Sequence, residues 1–242
     1  MRLYYIRHGQ SENNRLWMTE WSNVNRAPDP LLTDVGERQA RAVAAHLART
    51  DSDVLEWDET TRCMGGFGIT HCYSSLMERA VATGHAVAEA LGLPLLGWRD
   101  LHELGGVYSR DPATDTYTVQ PGRTRSYLAC TYERLVLPDD AGEDGWWNRE
   151  HEGWGEFLPR ASRVLDALLN RHRGTDDRVV LVSHGGFFSY LMRAVLGVST
   201  EGDSPWFSLN NASVSRLDFR DDGRIDIQYI NGRSFLPAEL VT

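Results

Sequence analysis

Two histidines stand where apolar stretches of the chain end, and each is followed by glycine. They are His8, in the segment YYIRHG at 4–9, and His184, in the segment VLVSHGG at 180–186. A neutral imidazole can act as a nucleophile or exchange a proton with a reacting group. Arg7, directly before the first histidine, adds a planar cation suited to phosphate oxygens. These residue types predict a site that handles phosphate.

The apolar stretches before the two histidines predict β-strands. In open α/β sheets, ligands bind beyond the carboxyl ends of the strands, so we expect both histidines to face one crevice. Gly9 and Gly185 would let the backbone approach a bound oxyanion there. The helix expected after Gly186 would direct its N–H groups to the same place.

Strand-like and helix-like stretches alternate along the chain. Short apolar runs predict strands at 3–6, 69–73 and 179–182, and two short strands within 212–230. Apolar residues at helical spacing predict helices over 35–48, 77–91 and 157–169. This alternation predicts an α/β fold, a three-layer αβα sandwich with a mainly parallel central sheet.

Two stretches interrupt the alternation. Residues 50–68 are acidic and then glycine-rich, which predicts a loop. Residues 104–152 hold three prolines and scattered aromatics, and irregular stretches this long are usually functional. We therefore predict one domain over 1–242 with an inserted lid or specificity lobe at about 104–152. In that lobe Trp146-Trp147 and Arg123-Thr-Arg125 either clamp a substrate or provide packing and solvated charge.

Charge and composition exclude several classes of function. The net charge of −9 argues against a broad surface for nucleic acid or anionic membrane, but not against a locally positive pocket. All 25 basic residues are arginine, so a Schiff-base lysine and a lysine-bearing phosphate loop are both excluded. No run approaches the roughly 18 apolar residues of a membrane span.

The cysteines and histidines show no spacing typical of a metal site. Cys63, Cys72 and Cys130 are an odd and sparse set, which indicates a reducing, cytoplasmic setting. The first residues lack the apolar stretch of a signal peptide. His102 is followed by glutamate, but the second histidine of an H-E-x-x-H motif is missing, and His71 near two cysteines gives no four-ligand spacing.

Four motifs follow one another in an order that resembles the histidine phosphatase superfamily. Arg7-His8-Gly9, with Asn14 six positions after the histidine, is similar to the family signature. The segments SLMERAVAT at 75–83, LHELG at 101–105 and SHGG at 183–186 resemble its second-arginine, acid-bearing and second-histidine motifs. The resemblance covers nearly the whole chain outside the two irregular stretches.

This resemblance implies a phosphomonoester hydrolase that acts on a small phosphorylated metabolite through a phosphohistidine on His8. Glu103 would protonate the leaving oxygen. The implied catalytic residues are Arg7, His8, Arg79, Glu103 and His184, and the implied phosphate-binding residues are Arg7, Asn14, Arg79, His184 and Gly185. Because these cations balance the phosphoryl charge, no metal and no cofactor are expected.

Two other functions stay open at this point. A cofactor-dependent phosphoglycerate mutase would suit the length, but the sequence LGGVY after Glu103 departs from the mutase pattern. A catalytically silent module that binds a phosphorylated ligand is the third possibility, and the joint presence of the five catalytic-type residues argues against it. Gln10 stands where the family often has glutamate, so one negative charge near the pocket is missing.

Overall fold

A computed structural model describes residues 1–20, 26–50, 56–58, 63–199 and 205–242, with the side chains of 20, 56–58 and 63–65 left aside. In chain order the strands are β1 (Arg2–Arg7), β2 (Glu56–Asp58), β3 (Cys63–Gly65), β4 (His71–Ser74), β5 (Leu95–Gly97), β6 (Tyr108–Asp111), β7 (Thr116–Val119), β8 (Leu135–Val136), β9 (Arg178–Ser183), β10 (Val214–Phe219) and β11 (Ile225–Gly232). The α-helices are α1 (Glu12–Glu20), α2 (Asp34–Leu47), α3 (Glu78–Leu91), α4 (Arg125–Thr131), α5 (Phe157–His172) and α6 (Gly185–Leu196). Short 3-10 turns lie at Arg99–Leu101, Trp154–Glu156 and Ala238–Leu240.

Seven strands form the central sheet, in the order β11-β10-β1-β9-β4-β5-β8. The neighbours from β1 to β8 all run parallel, and β10 is antiparallel to both β1 and β11. The fold is therefore mixed α/β with a mainly parallel central sheet flanked by helices, as predicted. Among the residues that the structure describes, no helix has the length and apolar character needed to cross a membrane.

The two faces of the sheet bury different residues because strand side chains alternate. In β1, Tyr4 and Ile6 belong to the apolar cluster that includes residues of α2 and α3. Leu3 and Tyr5 belong to the cluster that includes residues of α5 and α6. The strand is thus buried on both sides, which explains its continuous apolar sequence.

Local signals set the helix ends that the sequence predicts. The Thr33 hydroxyl accepts the N–H of Gly36 at 3.1 Å and caps α2. Gly92 ends α3 with a left-handed φ of 68°, a conformation that favours glycine. The segments predicted as helices at 35–48, 77–91 and 157–169 correspond to α2, α3 and α5.

The prediction of a loop over residues 50–68 needs correction. Within 50–68, β2 and β3 form an antiparallel pair, so this stretch is not all loop. Residues 51–55 and 59–62 lie outside the described part of the chain. The loop after His8 is short, because α1 begins at Glu12 and includes Asn14.

The stretch 104–152 contains a hairpin, β6–β7, then α4 and β8. Strand β8 pairs in parallel with β5, so part of this stretch extends the central sheet instead of lying outside it. The division into one domain with an inserted lobe stays a prediction.

The two tryptophans and two arginines considered as a substrate clamp make structural contacts instead. Trp146 and Trp147 are 0% and 3% exposed, which favours packing over a substrate clamp. Arg123 donates to Glu78, and Arg125 donates to the carbonyls of Pro138 and Ala141, so neither arginine is simply solvated.

Candidate active site

The two histidines follow directly after neighbouring parallel strands. In the β1–β9 ladder Arg7 pairs with Ser183, so His8 and His184 leave the sheet side by side. Their ring centroids are 5.1 Å apart, and the side chains are 3% and 0% exposed. The expected crevice at the carboxyl ends of the strands therefore brings both histidines together.

Hydrogen bonds define the tautomer of His8. Nδ1 lies 2.6 Å from the carbonyl oxygen of Gly9, which can only accept, so Nδ1 carries the proton. On the other side of the ring, Arg79 Nε donates to His8 Nε2 at 3.1 Å, which requires a lone pair on that nitrogen. His8 thus presents a neutral nitrogen, as a nucleophile must.

Its surroundings keep this imidazole neutral. Burial lowers the pKa of His8 well below its ordinary value of 6.5, and Arg79 and Arg7 lower it further. The sequence predicts the contribution of the two arginines in this direction. The larger contribution of burial depends on the three-dimensional packing.

Two buried hydrogen-bond donors at the site have no partner in the described part of the chain. They are Arg7 Nε and His184 Nδ1, which carries the proton when Nε2 accepts the Ser75 hydroxyl. The rest of His184 is held firmly, since its Nε2 lies 2.9 Å from Ser75 Oγ and its backbone N–H donates to the Tyr5 hydroxyl at 3.0 Å. Buried donors without partners cost free energy unless something satisfies them, and phosphoryl oxygens are suitable acceptors.

Arg79 lies in the first turn of α3 and is 8% exposed. Its Nη1 is 3.8 Å from the carboxylate of Asp29, which also accepts the backbone N–H of Glu78 at 2.9 Å. Burial raises the pKa of Asp29 to about 6, although Arg79 opposes this shift. Asp29 therefore contacts both the first backbone N–H of α3 and the Arg79 guanidinium.

Glu103 occupies the N-terminus of α6. Its carboxylate accepts the backbone N–H groups of Gly186 at 3.1 Å and Phe187 at 2.9 Å, and that of Leu104 at 3.0 Å. This corrects the expectation that these helix N–H groups point at a bound oxyanion. A carboxylate of the protein takes that favourable position instead.

The glycines in the two histidine motifs also serve other contacts than expected. A side chain at Gly9 would lie 2.5 Å from the carbonyl oxygen of Gly36, so this glycine lets the first loop approach α2. A side chain at Gly186 would lie 2.5 Å from Glu103 Oε1. Of the glycines near the site, Gly185 is next to Arg7, whose Nε would be 3.4 Å from an added Cβ.

Asn14 is oriented by a small amide network. Its Oδ1 accepts from Ser11 N at 3.1 Å, Ser11 Oγ at 3.0 Å and Asn211 Nδ2 at 3.2 Å. Asn211 also donates to the carbonyl oxygen of His8 at 3.0 Å. With its oxygen engaged, Asn14 has its Nδ2 left to donate to a ligand, as its predicted role requires.

A cavity of about 190 Å³ opens onto Arg79 and Glu103. The other residues that line it are Asn13, Arg26, Ala27, Pro28, Met77, Leu104, Gly106, Tyr108, Arg110 and Tyr117. Three of them, Tyr108, Arg110 and Tyr117, come from the β6–β7 hairpin.

The structure thus places the predicted catalytic and phosphate-binding residues close to one another, and adds others that motif reasoning missed. Tyr5, Asp29 and Asn211 contact site residues from distant points in the chain. Tyr5 lies within the first predicted strand, but nothing in the spacing of Asp29 or Asn211 signals a contact with the site.

The structure is an α/β protein in which two neighbouring histidines and two arginines lie at the carboxyl ends of parallel strands, the arrangement that the sequence predicts for a histidine phosphatase. The chain is a member of the histidine phosphatase superfamily (branch 1), whose family model matches residues 3–231. The probable phosphoglycerate mutase GpmB of Yersinia pestis (strain Pestoides F) is 27% identical over 222 residues, which cover 91% of this chain and 86% of that protein.

Solved structures show the same fold at lower identity. A putative α-ribazole-5′-P phosphatase from Escherichia coli K-12 has a TM-score of 0.63 and 21% identity, covering 98% of this chain and all of that one. Phosphoserine phosphatase from Entamoeba histolytica has a TM-score of 0.59 and 18% identity, covering 98% and 99% of the two chains. A mycobacterial glucosyl-3-phosphoglycerate phosphatase also has a TM-score of 0.59 and 18% identity, covering 96% and 99%.

Proposed function

We propose that this protein is a phosphomonoester hydrolase in which His8 attacks the phosphorus of a small phosphorylated metabolite. The observation that carries the proposal is the state of His8. Its Nε2 holds a lone pair beside Arg79, while Arg7 Nε and His184 Nδ1 are buried donors without a described partner. A nucleophile surrounded by donors for three anionic oxygens is what phosphoryl transfer requires.

In the first step, the phosphoryl group binds among Arg7, Arg79 and His184, with Asn14 Nδ2 as a further donor. Arg79 Nε transfers its hydrogen bond from His8 Nε2 to a phosphoryl oxygen, which frees the nucleophile. The N–P bond forms as the ester P–O bond breaks. Glu103 gives a proton to the leaving oxygen, and Oε2 suits this role because only one N–H is donated to it.

In the second step, water hydrolyses the phosphohistidine. Glu103, now without its proton, accepts one from the attacking water. The N–P bond breaks, inorganic phosphate leaves, and His8 returns to the tautomer fixed by the Gly9 carbonyl. The charge that develops on the phosphoryl oxygens is balanced by two arginines and a histidine N–H, so we propose that the reaction needs no metal ion and no cofactor.

Trapping the intermediate tests the proposal. Wild-type protein mixed with phosphate-labelled p-nitrophenyl phosphate and quenched in alkali should retain a base-stable, acid-labile label. His8→Ala should retain none and should hydrolyse the substrate several orders of magnitude more slowly. A label that persists on His8→Ala would contradict the assignment of His8, and full activity after exhaustive EDTA treatment is expected if no metal takes part.

The mutase relative favours a second candidate function. A phosphoglycerate mutase would transfer the phosphoryl group from the histidine to a second hydroxyl instead of to water. Interconversion of 2- and 3-phosphoglycerate with a bisphosphoglycerate primer, faster than phosphate release, would identify this activity. If phosphate release from both esters dominates, the hydrolase is supported.

Three further points complete the proposed function. The cavity of about 190 Å³ suits a small metabolite, and the β6–β7 hairpin at its wall supports a specificity role for the 104–152 stretch. The net charge of −9 supports neither a nucleic-acid partner nor an anionic membrane surface. Cys72 and Cys130 are free thiols, which supports a reducing, cytoplasmic setting.

A further inference from the structure

Three side chains that can bind metal ions lie together at the amino ends of the parallel strands. The two catalytic histidines lie at the opposite, carboxyl ends. His71 begins β4, His172 ends α5, and Asp177 directly precedes β9. One ligand atom from each lies within 4.8 Å of the others. Among the described residues, this is the group of metal-ligand type that the proposed reaction does not use.

The distances suit a small cation. His172 Nδ1 is 2.8 Å from Asp177 Oδ2, and His71 Nδ1 is 3.7 Å from Asp177 Oδ1. Tetrahedral zinc, with bonds of about 2.0–2.2 Å to nitrogen and oxygen, places its ligand atoms about 3.4 Å apart. The cluster therefore reaches this geometry by small side-chain shifts, in which His71 Nδ1 exchanges its 2.9 Å contact with the Thr70 hydroxyl for the ion. The His71 side chain is 37% exposed and admits the ion from solvent.

A further side chain stands ready to orient one of the ligands. The hydroxyl of Tyr73 lies 3.1 Å from His172 Nε2, on the far side of the ring from Asp177. If a metal displaces the proton on Nδ1, the Nε2 proton that the ring then carries can be donated to the Tyr73 oxygen. Histidine ligands usually have such a partner on their second nitrogen, which fixes the tautomer and the ring orientation.

From this geometry we infer that His71, His172 and Asp177 form a binding site for a divalent transition metal such as Zn²⁺, with water as the fourth ligand. The ion would link the end of α5 to the starts of β4 and β9. It would stabilise the fold and take no part in phosphoryl transfer, because the site lies at the opposite edge of the sheet. Sequence spacing does not reveal it, since His71 is separated from the other two ligands by about a hundred residues.

Zinc binding to protein freed of metal with EDTA tests the inference. The His8→Ala protein is the reference, because His8 and His184 together could also bind zinc and the substitution removes that second site. Calorimetric titration with ZnCl₂ should give one saturable site per chain in His8→Ala. At a hundredfold excess over Kd, zinc should raise the Tm by roughly 5–10 °C.

Single substitutions in the His8→Ala protein then locate the site. His71→Ala and Asp177→Asn should weaken zinc binding at least tenfold, and Tyr73→Phe by about 10–100-fold. Asp176→Asn, which alters the exposed neighbour, should leave the affinity unchanged. Because His71 is exposed, its variant should also keep wild-type Tm without zinc when made in the wild-type chain. The inference would be overturned if His8→Ala showed no saturable site. It would also be overturned if adding His71→Ala or Asp177→Asn left the zinc affinity of His8→Ala unchanged.

Discussion

At the scale of single residues, Arg79 has the most demanding set of contacts in the site. It donates to His8 Nε2 through Nε, lies beside Asp29 through Nη1, and points Nη2 at the sulfur of Met77 at 3.2 Å. An ammonium group cannot make these contacts at once, because it is a compact point charge at the end of a flexible chain.

We therefore expect Arg79→Lys to lose at least about 100-fold in kcat/KM, equivalent to about 2.7 kcal/mol of transition-state stabilisation. The measurement is steady-state hydrolysis of p-nitrophenyl phosphate. Arg110→Lys is the matched control, since Arg110 lines the same cavity but forms an exposed pair with Asp115. Near-wild-type kinetics in Arg79→Lys would mean that the arginine is only structural.

Glu103 gives a second prediction at this scale. In Glu103→Gln the amide oxygen can still accept backbone N–H groups, but the transferable proton is lost. An alkyl phosphate, whose leaving oxygen needs that proton, should slow by roughly 10²–10⁴-fold, and p-nitrophenyl phosphate much less, because its leaving group is stable as an anion.

A pre-steady-state burst shows whether transfer to His8 limits the rate, which this comparison requires. If Glu103→Gln slows both substrates equally when transfer is limiting, the proton comes from another group. The thermal stability of the variant also needs to be recorded, because the carboxylate holds the first turn of α6 through Gly186 and Phe187.

The residues proposed to bind the phosphoryl group could be predicted from the sequence, because each lies in a short motif at a strand or helix end. Their orienting partners could not. Asp29 and Asn211 reach the site across 50 and 203 residues from Arg79 and His8, and such contacts depend on how the elements pack. The same holds for the position of Glu103, whose motif is visible but whose contact with α6 is not.

At the scale of elements, the start of α3 shows how one contact serves both stability and the site. The N-cap residue, Met77, offers no side-chain cap, and the Asp29 carboxylate accepts the N–H of Glu78 instead. This bond connects the helix that carries Arg79 to a segment distant in sequence.

Two substitutions separate these roles of Asp29. Asp29→Ala should lower the free energy of unfolding by about 1 kcal/mol, the usual cost of losing a helix cap, whereas Asp29→Asn keeps an acceptor oxygen and should lose much less. Both remove the charge beside Arg79, so both should lower kcat/KM by roughly three- to tenfold, equivalent to about 1 kcal/mol. Urea unfolding and steady-state kinetics measure the two effects. Equal stability of the two variants would show that the cap contributes nothing.

Elements with a strong period were predictable, and short elements that depend on a neighbour were not. Helix α5 and strand β9 stand out in the sequence because their apolar residues face a core. Strand β8 has two residues, one of them exposed, and exists because β5 offers an unpaired edge. The β6–β7 hairpin is exposed on most of its residues, so no apolar alternation marks it.

At the scale of the whole molecule, several histidines are buried in the folded protein and are therefore hard to protonate. Burial is the largest cause of the lowered pKa of His8, His102 and His184, and it lowers the pKa of His46 to about 4. In the unfolded chain each would titrate near 6.5. Below that pH the unfolded state therefore binds more protons than the folded state, and stability must fall as the pH falls.

Asp29 acts in the opposite sense. Its pKa is raised to about 6, so between pH 6 and its ordinary value of 3.8 the folded state takes up a proton that the unfolded state does not. One such carboxyl offsets one histidine, while five histidines act in the destabilising direction, because burial also lowers the pKa of His151. We therefore predict a net loss of stability as the pH falls from about 6.5 towards 4.

The free energy of urea unfolding, measured at half-unit steps between pH 7 and 4, tests this prediction. His46 is the histidine to vary, since it stacks on Phe235 at 4.2 Å and lies outside the proposed reaction. In His46→Gln the unfolding free energy should depend less steeply on pH between about 4 and 6.5. The change in slope should be smaller than the roughly 1.4 kcal/mol per pH unit of a fully buried group, because solvent partly screens this side chain. In Asp29→Asn the unfolding free energy should depend more steeply on pH between 4 and 6, the opposite change. Identical slopes in wild type and both variants would show that buried histidines and Asp29 do not govern the acid stability of this fold.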